Sequence, residues 1–130
     1  MKFENEKHLL NYHEMDNLHK EFIDIYNNIE GDSIESYKSV MLKLFEQTKR
    51  HFDTEEKEMD EYSYPRKKEH IDEHQKLLGE MEYFINRSNS KMGQMMLKSY
   101  YKEKLPGWFD LHLLSMDSDL SAFLKGSKQN

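Results

Sequence analysis

"HFDTEEKEMDEYSYPRKKEHIDEH", residues 51–74, decides how this chain folds. Glu55 follows His51 by four residues, and His74 follows His70 by four, so each pair lies on one helix face a single turn apart. Between the pairs "YSYP" breaks the helical pattern, and Pro65 suits the first turn of the next helix. Two helices joined by so short a turn run antiparallel as neighbours. At about 1.5 Å of rise per residue, the roughly five residues on either side of the turn bring Glu55 and His70 to one level.

The same periodicity extends outward. A first helix is expected over about 11–29, with Met15, His19, Phe22, Tyr26 and Ile29 at three- and four-residue spacing. "EGDS" interrupts it, and Asp32 with Glu35 is expected to form a capping box for a second helix over about 33–60. That helix carries Ile34, Tyr37, Met41, Leu44, Thr48, His51 and Glu55 as its inner stripe. The third, over about 65–86, carries His70, His74, Leu77, Met81 and Phe84. "NRSNSKMG" reads as a loop. A fourth helix over about 94–124 turns Leu105, Phe109, His112, Met116, Leu120 and Phe123 inward, with a kink or restart expected at Pro106-Gly107. The expectation is an all-α, up-down-up-down four-helix bundle, one domain spanning 1–130. A short N-terminal arm (about 1–11) and a polar C-terminal tail (about 125–130) flank it. Bringing His19 level with His51 further requires that the second and fourth helices overhang the others or begin later than drawn.

Composition limits what such a bundle does. At 130 residues there is room for one core. The chain is polar, with 34% charged residues and a mean hydropathy of -1.01, but 12% aromatic residues argue against disorder. No apolar run approaches the roughly 20 residues of a membrane span, and "MKFENEKHLL" has no apolar signal core, so a cytoplasmic protein without membrane partners is expected. The absence of cysteine excludes disulfides, thiolate metal sites and cysteine nucleophiles. A net charge of -6 offers no basic patch for nucleic acid.

His19, His51, His70, His74 and His112 all fall where core residues belong. One buried imidazole is ordinarily satisfied by a hydrogen bond, but five, joined by the carboxylate of Glu55, are hard to satisfy within one small core. Metal cations would satisfy them together. Imidazole suits iron, zinc, copper and nickel, and carboxylates favour the harder members. Five imidazoles exceed the needs of one tetrahedral zinc, and carboxylates can bridge two metals, which suggests a pair of irons. The ferritin-like version of that chemistry uses Glu-x-x-His on two helices. None occurs here: the residues three before the seven histidines are Asn5, Leu10, Asp16, Thr48, Lys67, Ile71 and Phe109. The ligand set therefore points away from a ferritin or di-iron oxidase.

Over about 15–123 the chain resembles the hemerythrins, specifically the short single-domain bacteriohemerythrins. The resemblance rests on "DNLHKEF" around His19, "HFDTEE" with His51 and Glu55, "HIDEH" with His70 and His74, and "WFDLHLLSMD" with His112 and Asp117. It implies two iron ions, cycling between Fe2+ and Fe3+ with an oxo or hydroxo bridge. His70, His74 and His112 would hold one, His19 and His51 the other, and Glu55 and Asp117 would bridge both. The second iron would keep an open position for reversible binding of dioxygen, in oxygen storage, delivery or scavenging, by a monomer. The alternatives are a di-iron enzyme or protective protein consuming peroxide or nitric oxide, and a sensor acting through a separate partner. The polar tail "KGSKQN" contains no output domain.

Phe22, Phe52, Phe109 and Leu113 would wall the oxygen pocket, although for any one of them ordinary core is the better reading. Phe109 is bulkier than the leucine often found in the family, and Trp108 matches a typical tryptophan or simply packs. Asp117 lies five residues after His112, about 140° around an ideal helix, so a long reach or a local π-type distortion is required. His8 and His13 fall outside the motif and read as surface residues, and "TEEKEMDE" apart from Glu55 reads as a solvated face.

Overall fold

The structure, a computed structural model, describes Leu10 and residues 12–128, except for the side chains of His13, Leu113, Leu114 and Lys128. His8 and nearly all of the expected arm therefore lie outside the described residues, as do the side chains of His13 and Leu113. Every regular element described is helical: α1 (His13–Asn27), α2 (Ile34–Glu61), α3 (Lys67–Asn86), α4 (Lys91–Ser99), α5 (Leu105–His112) and α6 (Ser118–Lys128). Two π-helical segments, Tyr100–Lys104 and Leu113–Asp117, join the last three into one continuous fourth helix. α2 packs on α1 and α3, and α4 packs on α2 and α3, so four helices share one interior.

The expected overhang is present. α2 has 28 residues against 15 in α1, roughly 42 Å against 22 Å of helix. The expected capping box is not. Ser33, immediately before α2, accepts the Ser36 N–H at 3.2 Å. Asp32 lies one position too early to cap and instead accepts from the Tyr37 hydroxyl, near Lys98 at 3.4 Å. Gly31, at φ +96°, supplies the left-handed step into this turn. Pro65 likewise lies in the turn ahead of α3, which begins two residues later than expected. In the opposite direction, the polar tail is helical as far as Lys128, and the Lys125 ammonium donates to the Leu10 carbonyl at 2.9 Å.

The fourth helix begins at Lys91, where Ser90 accepts the Gly93 N–H at 3.0 Å. A Cβ on Gly93 would stand 1.7 Å from the Arg87 carbonyl oxygen, so only glycine fits. Gly93→Ala is expected to cost about 1–3 kcal/mol through forced movement of the 87–93 turn, read as a lower urea midpoint with unchanged helical circular dichroism. Pro106 neither ends the helix nor starts a new one. Its missing N–H and its ring conflict with the carbonyl of Lys102 four residues back, and the helix is π-wound over that turn, with Leu105 N–H donating to Tyr100. Tyr101 in this segment exchanges hydroxyl-to-carbonyl hydrogen bonds with Tyr26, and the two rings stack at 4.2 Å, which ties the end of α1 to the fourth helix.

The apolar interior divides into two clusters. The larger contains Phe22, Leu44, Leu77, Met81, Leu105 and Phe109, and the smaller contains Met15, Met59, Tyr64, Leu120 and Leu124. Between them along every helix lies a polar stretch: His19 on α1, His51 and Glu55 on α2, His70 and His74 on α3, and His112 with Asp117 on the fourth. The histidine layer is thus sealed by hydrocarbon at both ends.

Candidate metal centre

All seven of these side chains are at most 5% exposed. They form two donor sets. Glu55, His70, His74, His112 and Asp117 make one; His19, His51, Glu55 and Asp117 make the other. In each set the donor atoms lie within 4.8 Å of one another.

The carboxylates are divided between the sets oxygen by oxygen. Glu55 Oε1 faces His74 Nε2 at 3.0 Å and His70 Nε2 at 3.2 Å, while its Oε2 meets His51 Nε2 at 2.6 Å. Asp117 Oδ1 faces His112 Nε2 at 3.0 Å and His70 Nε2 at 3.1 Å, while its Oδ2 meets His19 Nε2 at 2.9 Å. Each carboxylate therefore offers one oxygen to each set.

The contacts in the larger set are close but are not hydrogen bonds. Glu55 Oε1, Asp117 Oδ1 and the Nε2 atoms of His70, His74 and His112 all lack a hydrogen-bond partner among the described residues, despite separations of 3.0–3.2 Å. Leaving such buried atoms unmatched costs about 1–3 kcal/mol each. Adjacent ligands about 2.1 Å from a six-coordinate cation stand about 3.0 Å apart (√2 times the bond length), so the spacing fits donors converging on a shared ion.

The π segment Leu113–Asp117 supplies the correction that Asp117 needs. In π-helical winding the repeat is i→i+5, so residue 117 returns to the face of residue 112, and both side chains enter the same layer.

Electrostatics describe the metal-free layer. Burial and the Asp117 charge push Glu55 upward, but His51 and His70 outweigh them and hold its carboxyl well below the usual range. Burial likewise opposes ionisation of Asp117, and His112, His19 and His70 outweigh it, so this carboxyl is also held far down. Burial lowers His70, but Asp117 and Glu55 raise it on balance to about 9. The two depressed carboxyls contribute stability above the unfolded carboxyl range, near pH 4, that is lost as pH falls through their folded values. Raised His70 contributes stability that is complete below about pH 6.5 and lost as pH climbs to about 9. Metal-free protein is expected to be most stable between about pH 4.5 and 6.5 and to weaken toward 9. Metal-loaded protein should not weaken over the alkaline span, because imidazole binds metal only when neutral. Urea midpoints against pH, with and without metal, check both limbs.

Around the donors, side chains fix orientation. Glu56 Oε2 accepts from or faces His74 Nδ1 at 3.0 Å, directing the other ring nitrogen inward. This corrects the reading of "TEEKEMDE" as a solvated face: Glu56 turns to His74, Glu58 accepts from the Tyr12 hydroxyl, and Met59 is fully buried. Trp108 stacks on His112 at 4.6 Å and Phe52 on His74 at 3.6 Å. Phe109 stacks on Phe22 at 4.5 Å and sets its edge to His19 at 5.8 Å. Phe22, Phe52, Trp108 and Phe109 line a pocket of about 10 Å³ that reaches His51, His112 and Asp117. Thr48, one turn before His51, completes the lining, and periodicity had given it no role beyond core. Three of the four expected wall residues thus come together, and the fourth, Leu113, lies outside the described side chains.

Comparison with protein-family models, with curated proteins and with solved structures gave no match. Among the described residues, no helix is long and apolar enough to cross a membrane.

Proposed function

We propose that this chain is a hemerythrin-like cytoplasmic protein that binds dioxygen reversibly at a carboxylate-bridged di-iron centre, for oxygen storage, delivery or scavenging. The observation that carries the reading is the division of Glu55 and Asp117, one oxygen each to two donor sets. His70, His74 and His112 would hold one iron, and His19 and His51 the other. The first set offers five protein donors and the second four, which leaves the second with room for an external ligand. A mixed imidazole–carboxylate set suits iron. When bound, the iron pair supplies the electrons that dioxygen binding requires.

The protein's own part is to bind, orient and keep dry. Glu56 holds the His74 ring in one orientation, and the rings of Phe22, Phe52, Trp108 and Phe109 exclude water. A pocket of about 10 Å³ has room for about one water-sized molecule and none for an organic substrate. The order of the clusters supports the up-down-up-down course: α1 runs from Met15 to Phe22, α2 from Leu44 to Met59, and the fourth helix from Leu105 to Leu120.

The test is stopped-flow mixing of the reduced, iron-loaded protein with dioxygen. A coloured adduct that releases gas under vacuum supports a carrier; repeated turnover with a reductant makes the protein an enzyme. Phe109→Ala should cost about 3–5 kcal/mol of stability, since the side chain is only 4% exposed. It should also admit water, so that the oxygenated spectrum decays faster at unchanged iron content, whereas Phe109→Leu should preserve oxygen binding. Decay of Phe109→Ala no faster than the parent would make this ring ordinary core.

A further inference from the structure

The pocket beside the donors has a polar atom that nothing in the fold uses. Thr48 is 2% exposed, and its Oγ1 has no hydrogen-bond partner among the described residues. It could have bonded back to a carbonyl of its own helix, as mid-helix threonines commonly do. Thr54 does so, with its Oγ1 on the Arg50 carbonyl at 3.0 Å. Thr48 does not; it lines the pocket with Phe22, Phe52, Trp108 and Phe109, beside His51, His112 and Asp117. An unpaired buried hydroxyl destabilises a fold relative to a methyl of the same shape. Phe22, Phe52, Trp108 and Phe109 in the same wall would accept valine readily.

We propose that Thr48 is the hydrogen-bonding residue of the external-ligand site, and that its hydroxyl donates to a small anionic ligand, or one that gains negative charge, at the His19/His51 side of the centre. The inference rests on the di-iron reading above. The geometry limits the ligand to a small one, because the pocket, at about 10 Å³, has room for about one water-sized molecule beside the donors. Its near end would lie among the donors of the four-donor set and its far end beside Thr48. The charge follows from the same surroundings: the hydroxyl is an unpartnered donor set in a largely aromatic wall, and hydrogen bonds from such a donor are strongest to charged acceptors. The site would therefore favour ligands that carry negative charge, or gain it on binding, over ligands of equal size that stay neutral.

Two substitutions test this. Thr48→Val removes the hydroxyl at constant shape, and Thr48→Ser keeps it. Iron-loaded, oxidised protein is titrated with sodium azide and followed by its absorption. Thr48→Val is expected to bind azide about 10-fold more weakly than the parent, while Thr48→Ser stays within about 3-fold. The second readout needs no metal. In the metal-free protein, Thr48→Val should raise the melting temperature by about 3–6 °C, because it removes an unmatched buried hydroxyl. Equal azide affinity in Thr48→Val and parent overturns the inference and leaves the di-iron reading intact. A lower metal-free melting temperature for Thr48→Val also overturns it, since the hydroxyl would then have a structural partner. A parent protein that takes up no iron overturns both.

Discussion

Stripping the metal from this protein is expected to lower its melting temperature by about 12–20 °C. A ligand present at a thousand times its dissociation constant adds about 4 kcal/mol, and each kcal/mol shifts a domain of this size by about 3–5 °C. The physical source is the layer between the two apolar clusters. There, burial and the Asp117 charge oppose ionisation of Glu55, and the Nε2 atoms of three histidines stand about 3 Å from carboxylate oxygens without bonding them. A cation replaces repulsion and unmatched lone pairs with bonds. Differential scanning calorimetry of loaded and chelated protein reads the shift directly. Equal melting temperatures would mean that the layer is satisfied without metal, contrary to the unmatched atoms found there.

The second large effect separates shared from unshared donors. Asp117→Ala is expected to reduce metal content from two ions per chain to near zero, because one side chain serves both donor sets. His19→Ala removes a donor from the smaller set alone and should leave one ion. Loss of one buried charged partner costs about 3–5 kcal/mol, a drop in affinity of hundreds- to thousands-fold. Replacing His8 and His13 together by alanine should leave metal content unchanged. Plasma emission analysis of protein purified without oxygen distinguishes these outcomes. An Asp117→Ala protein that retains one ion per chain would show that the carboxylate belongs to one set only.

The donor residues were legible in the sequence because a helix repeats its inward face every three or four residues. His51 with Glu55 and His70 with His74 announce themselves at that spacing, and hydrophobic neighbours at the same period mark the face as inward. Asp117 was legible only through the family resemblance, against the helical period. Its five-residue step from His112 breaks the period, and the π segment ending at Asp117 resolves it. Other features left no periodic trace. Glu56 sits one residue from Glu55, about 100° off the inner face, and only the nearness of α3 makes it a partner of His74. Thr48 occupied the inner stripe, but composition does not tell whether a core hydroxyl is paired. Asp32 and Ser33 are both competent caps, and only the exact start of α2 chooses between them. Pro65 and Pro106 were read as helix punctuation by their chemistry. One falls in the turn before α3, and the other is absorbed by widening the helix over the preceding turn.

The central claim is a pair of metals that share Glu55 and Asp117, and an anomalous-difference map from a crystal of iron-loaded protein, collected at the iron edge, tests it most directly. The expected map has two peaks roughly 3–4 Å apart, one among His70, His74 and His112 and one beside His19 and His51, with both carboxylates between them. A single peak, or two peaks with either carboxylate bound to only one of them, would contradict the account.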